Sequence, residues 1–233
     1  MTNYIPTIGI EVHVELKTNT KIFSNSLNGY GQMANSLTNV VDLGYPGTLP
    51  TLNKEVVNLA IKAACVLNCK IRKEMHFDRK NYFYPDNPKN FQITQGRTPI
   101  GYDGYVEIED DEGNKKKVRL LRIHIEEDAG KLNHDEFAGG SLVDLNRAGV
   151  PLIEMVSEPD LRSSGEAERY LRKLKSILEY IEVSDCKMQE GSLRADVNVS
   201  VHKPGEPLGT RTEMKNMNSF RSIVRGIEYE IER

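Results

Sequence analysis

Apolar and polar residues alternate strictly along several short stretches of this chain, the two-residue period of strands with one buried and one wet face. Ile8, Ile10, Val12, Val14 and Leu16 fall on one side of the first stretch, and Gly9, Glu11, His13 and Glu15 on the other. A second stretch, Val118 to Glu126, sets Leu121, Ile123 and Ile125 against Arg122, His124 and Glu126. The third, Leu193 to His202, sets Leu193, Ala195, Val197, Val199 and Val201 against Arg194, Asp196, Asn198, Ser200 and His202. Arg211, Glu213 and Lys215 predict a further strand after the Lys203-Pro204-Gly205 turn, and Leu142 to Asn146 and Leu152 to Ser157 predict two more.

Helical spacing takes over in three places. Asn53 is placed to cap a helix over Lys54 to about Leu67, with Val56, Leu59, Ala60, Ala63 and Leu67 as its stripe. Ser163 and Glu166 form a capping box ahead of Tyr170, Leu171, Leu174, Ile177 and Leu178. Phe220, Ile223, Val224, Ile227 and Ile231 mark a third helix, still periodic at Arg233 with no Gly or Pro stop. Strands outnumber helices without regular βαβ alternation. The expected class is therefore α+β: a curved, largely antiparallel sheet with helices on one face and the other face open. No repeat, low-complexity tract or linker divides residues 1–233, so one domain is expected, cut near its C-terminal end.

Composition narrows the function classes. Of the 233 residues, 38% are hydrophobic, enough for a core, and the net charge of −3 advertises no general affinity for nucleic acid. No apolar run approaches a membrane span, and the N-terminus lacks the basic and apolar segments of a secretory signal. Cys65, Cys69 and Cys186 are too few for a disulfide framework, so a reducing cytoplasm is the simplest setting. Cys65 and Cys69 sit four apart on the first helix and read as packed thiols. P-loop, zincin, dinucleotide and nucleophile-elbow motifs are missing from the sequence.

The polar faces hold the candidate chemistry. Residues two apart on a strand project from one side, about 7 Å apart, which pairs Glu11 with His13 and Asp196 with Asn198. Glu126 lies on the polar side of its own strand, and Glu154 interrupts an apolar run where an unpaired carboxylate is costly. Oxygen-rich clusters of this kind suit Mg²⁺. An open sheet face must also be polar somewhere, and only Glu154 falls outside that plainer account. Phe77 to Asp86 interleaves aromatic and basic residues, a pattern that can stack on bases or simply lead a strand into a Pro-Asp turn. Lys115 to Arg119 follows an acidic Gly-Asn turn and reads as a solvated hairpin tip.

Seven segments together resemble a known family: Gly9 to Leu16, Tyr45 to Pro50, Asp78 to Gln95, Arg122 to Lys131, Asp144 to Glu154, Gln189 to Ser200 and Glu213 to Phe220. They are similar to the B subunit of the glutamine-dependent aspartyl/glutamyl-tRNA amidotransferase, and the match spans nearly the whole chain. The resemblance implies a glutamine synthetase/guanido kinase type of cradle, continued elsewhere in the family by helical and tail domains that grip tRNA. It implies an ATP-dependent ligase that phosphorylates the side-chain carboxylate of Glu on tRNA(Gln), or of Asp on tRNA(Asn). Ammonia from a glutaminase A subunit then displaces phosphate, in a heterotrimer completed by a small C subunit. On that basis Glu11, His13, Glu126 and Glu154 are expected to hold Mg²⁺ or its water shell, with Asp196 beside them. His13 is an unusual Mg²⁺ partner and can instead orient a carboxylate or water. Lys80, Arg194 and Lys215 are the candidates for contacting phosphate. Many members also carry a four-cysteine zinc knuckle. Its positions fall near Ser24, Ser26, Asn39 and Asp42 here, so structural zinc is expected to be missing.

Two other functions fit the same residues. One is a ligase for a free amino acid, whose ATP turnover would not depend on charged tRNA. The other is a non-catalytic RNA-binding scaffold, for which assembling Glu11, His13, Glu126, Glu154 and Asp196 has little use.

Overall fold

The computed structural model describes residues 4–135, 139–217 and 219–233. Asn218, inside the last of the seven motif segments, lies outside the described residues. In chain order the elements are β1 (Ile5–Glu15), α1 (Lys54–Val66), β2 (Lys70–Ile71), β3 (Asp78–Asn81), β4 (Phe91–Thr94), β5 (Gly101–Glu109), β6 (Lys115–Glu127), β7 (Lys131–Asp135), β8 (Gly140–Asp144), β9 (Pro151–Ser157), α2 (Ser164–Tyr180), β10 (Leu193–His202), β11 (Thr212–Met217) and α3 (Phe220–Glu232). Seven strands form one sheet in the order β11-β10-β1-β9-β6-β5-β2, and every pairing in it is antiparallel. The expected α+β class holds.

The apolar side of that sheet is the core. Ile8, Ile10, Val12 and Val14 of β1 are buried, and Val199, Val197, Ala195 and Leu193 lie directly across from them on β10. Met155 and Ile153 continue the layer on β9, followed by Ile123 and Ile125 on β6. The helices close over this layer, α1 against β5 and β6, α2 against β5 and α3, and α3 against β10. Each cap forms as its residues dictate: Asn53 accepts from the Glu55 amide, Ser163 from Glu166 and Ser219 from Ser222. The capping box at α2 is reciprocal only in part. Glu166 accepts from the Arg162 amide at 2.7 Å and is held by Lys116 Nζ, rather than reaching back to Ser163.

Two sequence expectations need correction. Leu121 does not join the apolar side of β6: it is exposed, and Leu120 is buried in its place. The β6–β9 register shifts between Leu120 and Arg122, so Leu121 is the extra residue of a bulge that flips the alternation. The stretch over Leu142 to Asn146 is strand only through Asp144. It pairs with β7 in a separate two-stranded ribbon rather than joining the main sheet. Strand β5 lacks the strict alternation of its neighbours because glycines interrupt its pattern. Gly104 is required by packing, since a Cβ there would sit 2.3 Å from Cys69 Sγ and 2.7 Å from the Leu67 carbonyl.

Phe77 to Asp86 resolves into a ribbon and its turn. β3 pairs with β4, Phe77 meets Phe23 edge-on, and Phe83 and Tyr84 stand exposed beyond the strand. The Asp110–Asn114 turn is the solvated hairpin tip that its charges suggested.

Candidate active site

Cross-strand register assembles the site. His13 on β1 lies opposite Arg194 on β10 and opposite Glu154 on β9, and Glu154 lies opposite His124 on β6. One polar row therefore crosses four strands on the open face. Glu126, two residues from His124, projects on the same face. Glu11 and Asp196, paired with each other across β1 and β10, form the next row.

The closest convergence is among three of the expected residues. His13 Nε2 is 3.3 Å from Glu154 Oε2 and 3.5 Å from Glu126 Oε1. One potential ligand atom from each of the three residues lies within 4.8 Å of the others. Burial pulls the His13 pKa down, but the bond to Glu154 and the charges of Glu154 and Glu126 leave it raised. Burial likewise works to raise Glu154, yet bonds from His124 and His13 hold its carboxyl far below the usual range. Glu154 is therefore kept ionised in a partly dry site.

Glu11 shares the face but stands outside this trio, and its carboxylate accepts from Asn198 Nδ2 at 3.2 Å. Asp196 lines the same cavity and has Lys215 Nζ 3.9 Å away. Lys215 also pairs with Glu213 at 3.2 Å and is largely exposed. Lys80, exposed on β3, lines the cavity as well. Arg194 lines it too, but its guanidinium is held by Asp128, with Nη2 2.7 Å from Oδ2. The cavity measures about 700 Å³, within the range of small-ligand sites.

Three consecutive acids at the end of β6 and just beyond it meet three fates. Glu126 faces the cavity. Glu127 turns away to Lys89, whose Nζ is 2.5 Å from both of its oxygens. Asp128 takes Arg194 and lies 3.5 Å from Arg147 Nε. Arg147 also donates to the carbonyls of Ala129 and Gly130, which ties the β9 approach to this corner. Sequence reasoning assigned no role to His124, Asp128, Arg147 or Glu15. His124 was visible in the alternation beside Glu126; Arg147 and Asp128 meet only through the fold. The half-buried Glu15 carboxyl is pushed up to about 7 by desolvation and by the charge of Asp128.

The positions of the knuckle also converge, around oxygen. Asp42 accepts from Ser24 Oγ at 2.7 Å, Ser26 Oγ at 2.5 Å and the Asn39 amide at 3.1 Å, and Lys21 Nζ lies 3.4 Å away.

Two carboxylates with an imidazole beside them, all lining one open cavity, form a group that could hold a divalent cation, the carboxylate oxygens being the hard donors. The chain belongs to the family described as the GatB/GatE catalytic domain, whose model matches residues 6–233. Among curated relatives it is similar to the B subunit of the aspartyl/glutamyl-tRNA(Asn/Gln) amidotransferase from Bacillus cereus (strain AH187). The identity is 61% over 224 residues, covering 96% of this chain and 46% of the relative. The B subunits from Bacillus thuringiensis (strain Al Hakam) and Bacillus anthracis (strain CDC 684 / NRRL 3495) match with the same identity and coverage. The chain thus spans about half the length of the curated relatives it matches. Among the described residues, no helix is long and apolar enough to cross a membrane.

Proposed function

We propose that this chain carries the kinase and transamidase site of an aspartyl/glutamyl-tRNA(Asn/Gln) amidotransferase. ATP phosphorylates the side-chain carboxylate of Glu-tRNA(Gln) or Asp-tRNA(Asn), and ammonia displaces the phosphate to leave the amide. The chain works in the cytoplasm with a glutaminase A subunit and a small C subunit. The observation that carries this reading is the convergence of His13, Glu126 and Glu154 at the floor of the cavity, in a chain of this family.

A carboxylate is a poor electrophile, and phosphoryl transfer to it depends mainly on alignment and on neutralising charge at the phosphate oxygens. His13, Glu126 and Glu154 are the residues to hold Mg²⁺, which when bound would supply that neutralisation. Glu11 and Asp196 suit the ion's water shell, being on the same face and one row away. Lys80 lines the cavity, and Lys215 stands 3.9 Å from Asp196, which lines it too. Arg194, fixed by Asp128, offers a cation that does not need to be ordered when an anion arrives.

The test is transfer of the ATP γ-phosphate to Glu-tRNA(Gln) and Asp-tRNA(Asn) by the full-length subunit with its partners. Phosphate release that requires charged tRNA supports the reading. Equal turnover with free glutamate would favour the free-amino-acid ligase instead, and no turnover with any acceptor would favour the scaffold.

A further inference from the structure

His124 is buried, with 5% of its side chain exposed, and does not line the cavity that His13, Glu126 and Glu154 share. It nevertheless touches both carboxylates through one atom: Nε2 lies 3.1 Å from Glu154 Oε2 and 3.5 Å from Glu126 Oε2. The two histidines divide the oxygens of Glu126 between them, His13 next to Oε1 and His124 next to Oε2. Thr94 Oγ1 donates to that same Oε2 at 3.1 Å. Glu154 lies directly between His13 and His124 across three adjacent strands. The carboxylates thus have one imidazole on the cavity side and one behind them.

We propose that His124 is a positioning residue, a buried clamp that sets the Glu126 and Glu154 carboxylates for a divalent cation without touching the cation itself. This rests on the reading of His13, Glu126 and Glu154 as the ion's ligands. A ligating carboxylate free to rotate loses affinity to side-chain entropy. One held from behind by a donor presents its remaining lone pairs in a fixed direction, and such outer partners are typically worth about 10- to 100-fold in metal affinity. His124 is suited to this because its backbone is fixed: β9 pairs with it here, Glu154 lying opposite, and on the other edge the next amide, Ile125, donates to Gln95 Oε1 at 3.0 Å. Its single Nε2 reaches two carboxylates from two different strands.

The test is titration of the full 233-residue chain with Mn²⁺ alone, followed by electron paramagnetic resonance and calorimetry. His124→Leu is expected to weaken Mn²⁺ binding about 10- to 100-fold. His124→Gln, whose amide nitrogen reaches the place of Nε2, is expected to restore most of the affinity and the wild-type spectrum. A structural defect alone would not be rescued in that selective way. Unchanged Mn²⁺ affinity and spectrum in His124→Leu would overturn the clamp while leaving the ligand reading standing. Failure of the wild-type chain to bind Mn²⁺ at millimolar concentration would overturn both. If His124→Leu does not fold, His124→Asn carries the comparison, because its shorter amide falls nearer the place of Nδ1. Affinity for Mn²⁺ roughly 10-fold or more weaker in His124→Asn than in His124→Gln supports the clamp, and equal affinity overturns it.

Discussion

Two centres in this protein are built on carboxylates and differ in what surrounds the carboxylate oxygens. At Asp42, Ser24, Ser26 and the Asn39 amide donate to both oxygens, and the fully buried Lys21 ammonium stands alongside. Every direction is answered from within the chain. At Glu126 and Glu154 the partners are two imidazoles at 3.1 to 3.5 Å and one threonine, and a cavity opens on the remaining side. The first centre is closed and ties segments of chain together: Asp42 holds 21–26 to 39–42, and Lys21 reaches the Leu145 carbonyl at 3.5 Å. The second gathers two carboxylates about one open side, where their free lone pairs are left to a ligand from outside the chain. Charge alone does not separate a structural centre from a functional one; the completeness of its hydrogen bonding does.

The widest break in this comparison comes from Asp42→Ala, which leaves the Lys21 ammonium buried without its counter-charge. It is expected to cost about 3–5 kcal/mol in denaturant unfolding. Replacing both partners, Lys21→Met with Asp42→Asn, should cost far less, because no buried charge is left uncompensated. Equal losses in the single and double variants would show that the pair's charges are not what holds these loops.

At the other centre the expected pattern reverses. Glu154→Gln keeps the shape but gives up the imidazole interactions that hold this carboxyl ionised, so unfolding should cost about 1–3 kcal/mol, less than Asp42→Ala. Phosphoryl transfer by the full-length complex should fall about 100-fold or more. A large stability loss with activity retained would mean that Glu154 belongs to the structural class.

A smaller effect concerns pH. Burial lowers the Lys21 pKa below its ordinary 10.5, with Asp42 only partly offsetting it. Between that lowered folded value and 10.5 the unfolded chain holds the extra proton, so this group's contribution to stability rises with pH across that window. The difference in unfolding free energy between the protein and Lys21→Met should accordingly grow toward alkaline pH. A difference independent of pH would place the Lys21 pKa at its ordinary value. The smallest expected effect is none: dialysis against a chelator should leave the melting temperature unchanged, and metal analysis should find no stoichiometric zinc. Zinc at one per chain that resists the chelator would contradict the closed, oxygen-based account of Asp42.

Much of this molecule is legible along the chain, because strands and caps are local. The alternation in β1 and β10, the Asn53 and Ser163 caps, and the common face of Glu11 and His13 all follow from spacing of a few residues. The anomaly of a carboxylate at Glu154 in an apolar strand was equally visible. What the sequence could not decide is whatever depends on register between distant strands. The bulge that exposes Leu121, the glycines of β5 pressed by Cys69 and Leu67, and the separate β7–β8 ribbon are settled by packing across the sheet. The same holds at the site. His13, His124, Glu126 and Glu154 come from three strands more than a hundred residues apart at the extremes, and antiparallel pairing alone brings them together. Whether a neighbouring acid faces the cavity like Glu126, or turns to a lysine like Glu127, was decided by the pleat and by which cation the fold supplied. Local spacing determines an element and its faces; only tertiary pairing determines which polar residues meet, because their partners lie far along the chain.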